Sequence, residues 1–181
     1  MSAQSIPKLL TVEEYERIPD PPGGRYELRH GEAVFGSYPV REHKFRQRHL
    51  RDMLQPVVKA LGFLVDTEYP YRPLPENEVW AADVACVSET RDQQAEKWLI
   101  GSPELAIEVK SPSNTKADLH DRAMTTLAGE GAREFWIVDA KTRTVTVYST
   151  TSGMHIYSGE EAVPLPIADC ALRLADIFAE G

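Results

Sequence analysis

The chain of 181 residues has few cysteines, no long apolar run and no excess of positive charge. Its two cysteines, Cys86 and Cys170, match no metal-ligating or redox spacing, which indicates a reducing compartment. No apolar run approaches the roughly 20 residues that span a bilayer, and the N-terminus lacks the basic start and apolar middle of a signal peptide. We therefore expect a cytoplasmic protein that does not contact a membrane.

The net charge of -8 opposes tight non-specific binding to nucleic acid, because such binding depends on neutralising phosphates. It does not exclude a local basic surface, and residues 41–51 carry five positive side chains against one acid, Glu42. Four of the five recur at spacings of three and four and form one stripe of a predicted helix, which is either a solvated face or a phosphate-binding surface. The stripe consists of Arg41, Lys44, Arg48 and Arg51.

The pattern of elements predicts one α/β domain. Residues 1–10 are expected to be a flexible tail and residues 11–181 a single domain. From Arg41 the order is helix, strand, strand, strand, helix, strand, which is typical of a mixed central sheet flanked by helices. Pro56 is expected to kink or interrupt the first of these helices. The predicted strands are 63–71, 79–87, 105–110 and 134–139; the helices are 41–61 and 115–129; a hairpin lies near 25–36, a strand pair at 142–148 and 154–157, and a short helix at 172–178.

Two opposite charges interrupt the apolar strand LAIEVK. Because alternate side chains share a face of a strand, Glu108 and Lys110 are expected to be neighbours, roughly 7 Å apart at the backbone. A surface ion pair would explain them, but the strand ends in Ser-Pro-Ser-Asn before a helix. Ligand crevices of open α/β sheets lie at such strand ends, which favours a functional site.

A second carboxylate, Asp83, opens the apolar run of the strand WAADVACV. Alone, it is explained by hydrogen bonds from a neighbouring backbone. Together with Glu108 it offers the carboxylate oxygens that suit Mg²⁺. Such an ion would polarise a phosphodiester and lower the pKa of an attacking water. Lys110 would orient that water or offset charge on the phosphate.

The order of Asp83, Glu108 and Lys110 resembles the signature of the PD-(D/E)XK nuclease superfamily. TVEEY, RYELRHGE, His43 at a helix start, AADVACV, LAIEVKSPSN and GAREFWIVDAKTRTVTVY are similar, in their order, to the bacterial Uma-type family of restriction endonuclease-like proteins. The similarity extends over residues 10–178.

The resemblance implies a restriction-endonuclease-like fold and a DNA nuclease that depends on Mg²⁺ or Mn²⁺. Asp83 and Glu108 would bind the metal, Lys110 would be catalytic, and His43 and Glu27 would be accessory groups, although each of these last two is by itself more often structural. Cutting both strands with a single site would favour a homodimer. The expected interface is the aromatic C-terminal half, with Phe135, Trp136, Tyr148 and Tyr157.

The sequence departs from the family pattern at two places. Ala81 and Ala82 stand before Asp83 where Arg-Pro is usual, and the helix after Ser-Pro-Ser-Asn has Arg122 and Thr126 where Lys and Tyr are common. The contribution of that helix is therefore left open. Two alternatives remain: a catalytically inactive nucleic-acid-associated or protein-interaction module on the same fold, and a hydrolase of another phosphate ester. Lys110 favours an active site, because an inert scaffold does not need it.

Overall fold

The computed structural model describes residues 9–179, so most of the expected tail (residues 1–8) and the last two residues of the expected domain lie outside it. The described chain starts with a one-turn helix, α1 (Val12–Tyr15), whose first turn is closed by reciprocal hydrogen bonds between Thr11 and Glu14. The predicted hairpin follows as β1 (Gly24–Arg29) and β2 (Glu32–Ser37).

The remaining elements of the described chain are four α-helices and nine strands. In chain order they are α2 (Arg41–Val58), β3 (Phe63–Arg72), β4 (Trp80–Ser88), α3 (Glu89–Gln94), β5 (Leu99–Ile100), β6 (Leu105–Val109), α4 (Lys116–Ala128), β7 (Glu134–Asp139), β8 (Thr144–Ser149), β9 (Gly153–Tyr157), β10 (Ala162–Leu165), β11 (Cys170–Arg173) and α5 (Leu174–Ile177).

Seven strands form one mixed sheet in the order β5-β3-β4-β6-β7-β8-β9. β6 and β7 are parallel and are joined through α4, whereas β4 pairs with β6 in the antiparallel sense. Parallel neighbours need a crossover, and α4 is that crossover. The predicted mixed α/β fold, a central sheet flanked by helices, is confirmed.

The two faces of the sheet carry separate cores because successive side chains of a strand point in opposite directions. Ile107 of β6 packs with Leu54 of α2 and with residues of α5 on one face. Ala106 packs with Leu119 and Ala123 of α4 on the other face. α2 and α4 therefore approach the same strand, β6, from opposite sides.

Three expectations about local structure need correction. α2 continues for two residues beyond Pro56, so the proline does not interrupt it, and the α-helix ends at Val58, three residues before the predicted end. Segment 88–103, for which no element was predicted, contains α3 and the short strand β5. Phe135 and Trp136, expected at a dimer interface, are fully buried on opposite faces of β7.

Candidate active site

The floor of an open cleft of about 620 Å³ contains the two predicted metal ligands. Val84 of β4 pairs with Ile107 of β6 in antiparallel register. One further step along this register places Asp83 opposite Glu108. Both residues line the cleft. Strand pairing thus brings together two carboxylates from separate parts of the sequence.

Three contacts hold the Asp83 carboxylate in place. Its Oδ1 accepts a hydrogen bond from Gln47 Nε2 at 2.8 Å and lies 2.9 Å from His43 Nε2, and its Oδ2 accepts from the Val109 backbone N–H at 2.7 Å. His43 and Gln47 share one face of α2 because they are four residues apart. An ionised carboxylate has about four acceptor positions, so Asp83 retains one for a further ligand.

Glu68 of β3 connects this carboxylate to the hairpin. Its carboxylate accepts a hydrogen bond from Gln47 and lies 2.6 Å from Arg25 Nη2. Its φ of 54° is in the left-handed region, which a glutamate rarely adopts. Backbone held in such a conformation is common at functional sites. The chain of contacts from Arg25 through Glu68 and Gln47 to Asp83 makes the cleft wall and floor one hydrogen-bonded unit.

Arg122 of α4 bridges two carboxylates at the base of the cleft. Its Nη1 lies 3.0 Å from Glu27 Oε2, and its Nη2 lies 2.7 Å from Glu108 Oε1. Nη2 also donates to the Ala81 carbonyl at 2.9 Å, and the guanidinium carbon lies 5.3 Å from the centroid of the Trp80 ring. The side chain is buried. The question that the sequence left open is therefore answered: α4 contributes to the site through Arg122.

The two carboxylates bound to Arg122 have opposite pKa shifts. Burial raises the pKa of Glu108 to about 8; Arg122 opposes this, and the charges of Asp83 and Glu27 add to it. Burial would also raise the pKa of Glu27, but Arg122 and Arg29 together lower it to about 2. Glu27 has two guanidinium partners, whereas Glu108 shares one and faces two other acids. Glu108 is thus the carboxylate that lacks compensating positive charge, which a bound cation would supply.

His43 and Glu27, the predicted accessory residues, both line the cleft. Burial would lower the pKa of His43, but its hydrogen bond to Asp83 and the charge of that carboxylate raise it. The imidazole therefore takes up a proton more readily than a free histidine. Glu27 Oε1 accepts a hydrogen bond from the Ala81 backbone N–H at 3.1 Å, which ties β1 to β4 beside the site.

Lys110 lies one residue beyond the end of β6 and has a different partner. Its Nζ donates to Asp139 Oδ2 at 2.7 Å, at the end of β7. Burial would raise the pKa of Asp139, but this hydrogen bond from Lys110 helps to lower it below its ordinary value. The cleft lining, as far as residues 9–179 define it, does not include Lys110. The structure therefore brings Asp83, Glu108 and both accessory residues together but places the lysine ammonium on Asp139.

The basic stripe lies along α2 and begins at the rim of the cleft. Val40 and His43, at the start of the helix, line the cleft. The first three cations of the stripe, Arg41, Lys44 and Arg48, are exposed, and the fourth, Arg51, donates to Asp52 at 2.7 Å. Its role in binding nucleic acid stays a prediction.

The oxygen donors on the cleft floor fit a particular class of metal ion. The N–H of Val109 donates to Asp83, and because the N–H and C=O of a strand residue point to the same edge, we expect the Val109 carbonyl on that side as well. Arg122 Nη2 donates a hydrogen bond to Glu108 Oε1, so the other carboxylate oxygen, Oε2, is available to a cation. Within residues 9–179, no group of three or more His, Cys, Asp or Glu side chains is arranged to hold a metal. The donors on the cleft floor are carboxylate and carbonyl oxygens, which hard divalent cations as a class prefer.

Sequence reasoning missed Gln47 and Glu68 and left Arg122 undecided. A usable signal existed for two of them, because Gln47 and Arg122 occupy positions of the buried stripes of α2 and α4, where apolar residues are expected. A polar residue in such a stripe needs a buried partner. No comparable signal marked Glu68, since its role depends on the turn of the backbone at that residue.

Comparison with known proteins agrees with this architecture. Residues 12–173 match the model of the Uma2 family, described as "Putative restriction endonuclease". A crystal structure from Anabaena variabilis ATCC 29413, described as "a putative nuclease belonging to DUF820", superimposes with a TM-score of 0.80 and 20% identity, covering 93% of this chain and 97% of that one. At this identity the likeness shows the fold alone. Among curated proteins, none matches the chain significantly.

Proposed function

From the geometry of its cleft, and because the chain belongs to the Uma2 family, we propose that the protein is a nuclease. In this proposal it hydrolyses DNA phosphodiester bonds with a divalent metal ion, Mg²⁺ or Mn²⁺. The observation that carries the proposal is the placement of Asp83 opposite Glu108 at the floor of the cleft. Two adjacent acidic groups are costly in a buried position unless a cation lies between them. Their retention supports a metal-binding role.

In this proposal the metal is held by Asp83, Glu108 and the Val109 carbonyl. When bound, the ion supplies Lewis acidity toward the phosphodiester and lowers the pKa of a water. Gln47 and His43 orient Asp83, because both donate to the same carboxylate oxygen. Supporting hydrogen bonds of this kind commonly set the geometry of a metal ligand.

Lys110 keeps its proposed catalytic role on sequence grounds only. Its ammonium group is about one third exposed and pairs with Asp139, so it must leave that carboxylate to reach a phosphate. The Asp139 side chain is only 13% exposed, so this pair is partly shielded from water and its separation has a cost. Cleavage by Lys110→Ala equal to that of the parent protein would remove Lys110 from the mechanism and leave the metal ligands unaffected.

One observation favours the second candidate, a catalytically inactive module. The guanidinium of Arg122 already lies against Glu108, in a position where it compensates one of the two acidic groups without a metal. An inert protein would retain such a pair for stability alone. The two candidates differ in whether the protein binds a divalent ion at the cleft floor.

Calorimetry provides the measurement. We expect titration of Mg²⁺ or Mn²⁺ into the protein to give a saturable binding signal that Asp83→Ala abolishes, because this change removes one of two ligating carboxylates. Asp66→Ala is the matched control, since Asp66 lies on the neighbouring strand β3 and its side chain is exposed. Equal metal binding by the parent protein and Asp83→Ala would refute the proposed metal site.

The setting of the protein is part of the proposal. None of the helices within residues 9–179 is long and apolar enough to cross a membrane. Cys86 and Cys170 are both free thiols, which supports a reducing compartment, and we place the protein in the cytoplasm.

We also propose a homodimer, whose interface lies at β9 in the C-terminal half and does not include the buried Phe135 and Trp136. β9 is the last strand of the sheet, and Met154 and Ile156 on it are 58% and 52% exposed. An unprotected edge of this kind is a template for pairing with a second chain. In sedimentation velocity, we expect Ile156→Lys to shift the protein from dimer to monomer and Leu61→Lys, equally exposed at 52%, to leave the dimer intact. A monomeric parent protein would contradict the proposal.

A further inference from the structure

Exposed aromatic side chains are concentrated at the cleft. Of all Phe, Tyr and Trp residues between positions 9 and 179, Phe35 and Tyr38 alone are exposed, at 51% and 56%. Both line the cleft, together with Val40, which is 71% exposed. Large apolar side chains grouped at one place on the surface commonly mark a binding site. These three lie within six residues of each other, directly before α2.

The ring of Phe35 is held in position by the hairpin. It lies against Gly24 so closely that a Cβ at that residue would be 2.3 Å from the ring. Its edge meets the ring of Tyr26, with centroids 6.3 Å apart and planes at 73°. The backbone N–H of Tyr38 donates to the carbonyl of Gly23 at 3.0 Å. The ring of Phe35 is therefore fixed against β1, and the backbone of Tyr38 is fixed at the residue before that strand.

The cleft also offers a small number of phosphate-binding groups. Arg25 and Arg29 line it with side chains 33% and 27% exposed, and each is bound to one carboxylate, which leaves further N–H donors free for a ligand. α2 begins at the rim, and Val40 at its N-cap has no side-chain oxygen to accept from the first free backbone N–H groups. Such a helix end favours an anion.

The charges of the cleft do not suit a duplex. Three arginines line it, but so do Glu27, Glu68, Asp83 and Glu108, and the whole chain has a net charge of -8. Binding of duplex DNA draws its affinity mainly from many neutralised phosphates. Stacking of unpaired bases on aromatic rings requires far less positive charge and contributes about 1–3 kcal/mol per base.

The dimensions of the cleft lead to the same conclusion. Its volume of about 620 Å³ is that of a site for a small ligand, and it would hold a short stretch of one strand. Bases within a duplex are already stacked on their neighbours, whereas those of a single strand have faces free to stack on exposed rings such as Phe35 and Tyr38. Both aromatic residues belong to the same cleft as Asp83 and Glu108, so a strand stacked on them has its backbone beside the proposed metal ligands.

We propose that the cleft binds single-stranded nucleic acid, with unpaired bases stacked on Phe35 and Tyr38 and phosphates near Arg25, Arg29 and the start of α2. This inference rests on the proposed nuclease function and specifies its substrate class. The chemistry is common to unpaired DNA and RNA.

Fluorescence anisotropy of the full chain in EDTA tests the inference without cleavage. The probes are a labelled 20-nucleotide oligothymidylate, the corresponding oligouridylate and a 20-base-pair duplex. We expect one or both single strands to bind more tightly than the duplex, and Phe35→Ala and Tyr38→Ala each to weaken single-strand binding about 5- to 100-fold, as loss of one stacked base does. Leu61→Ala, a change at an equally exposed residue three positions beyond the C-terminal end of α2, is expected to leave binding unchanged.

The outcomes separate this inference from the nuclease proposal. Tighter binding of the duplex, or single-strand binding that both alanine variants retain, would overturn the inference even if the protein cleaves DNA. Selective single-strand binding lost in both variants supports it even if no cleavage is found. The aromatic surface could instead bind a second copy of the chain, which sedimentation of the same variants tests. A change in self-association with no change in oligonucleotide binding would assign the surface to that second copy and overturn the inference.

Discussion

Glu108→Gln is expected to reduce cleavage of DNA by more than about a hundredfold, because loss of a residue that merely supports a metal ligand already costs about 10- to 100-fold. Glutamine has the same shape and still accepts the hydrogen bond from Arg122, but it lacks the charge that attracts a cation. The fold is expected to survive, since glutamine fills the same space and keeps the hydrogen bond from Arg122 Nη2. Cleavage of plasmid, linear and single-stranded DNA with Mn²⁺ is the measurement.

Glu134→Gln is the matched control for this experiment. Glu134 is on the adjacent strand β7 and, like Glu108, is 6% exposed, but it lies at the opposite end of the strand pair and accepts a hydrogen bond from Trp136 Nε1 at 2.9 Å. This variant is expected to cleave at the parental rate. Cleavage that persists unchanged in a folded Glu108→Gln protein would show that the activity comes from another site or from a contaminant.

Arg122→Met is expected to lower the free energy of unfolding by about 3–5 kcal/mol at neutral pH, as the loss of one partner of a buried ion pair does. It leaves Glu27 and Glu108 buried without their shared guanidinium. Urea denaturation measures the effect. Arg17→Met serves as the control, because Arg17 pairs with Glu13 on the surface and both side chains are mostly exposed; such pairs contribute about 0–1 kcal/mol.

The effect of Arg122→Met is expected to depend on pH in a defined direction. The pKa of Glu27 is lowered from 4.5 to about 2 in the folded protein, so Glu27 contributes stability above pH 4.5 and loses that contribution as the pH falls toward 2. The difference between the parent protein and the variant should therefore be largest near neutral pH and shrink in acid. Adding Glu27→Gln and Glu108→Gln to the variant should restore much of the stability, because no buried charge then lacks a partner. A difference that is independent of pH would show that the loss comes from packing and not from the carboxylates.

Much of the architecture was predictable because it follows from short-range patterns. The apolar runs around Val84 and ending at Val109 predict strands, and apolar residues at helical spacing, such as Leu50 and Leu54, predict a helix. Each of these patterns predicts the type of one element, and the elements then follow in the order that the fold has. Segment 88–103 was not predictable in this way, because α3 and β5 within it are too short to show a period.

The site was predictable in part for a related reason. Asp83 and Glu108 are acids within otherwise apolar strands, so each is conspicuous in the sequence before its partner is known. Lys110 is equally conspicuous in the sequence. Its ammonium group nevertheless pairs with Asp139 at the end of β7, because β6 ends at Val109 and Lys110 lies beyond that end. Spacing along a strand indicates which face a residue shares, but not which neighbouring strand supplies its ion-pair partner.

The sequence by itself determined the mixed α/β architecture and pointed to Asp83 and Glu108, because hydrophobic periodicity and charges within buried strands are local properties. Only the tertiary structure decided that Arg122 lies between Glu27 and Glu108 and that Phe35 and Tyr38 border the same cleft. These contacts join residues far apart in the chain, and they depend on the register of β4 with β6 and on the side of the sheet from which each helix approaches.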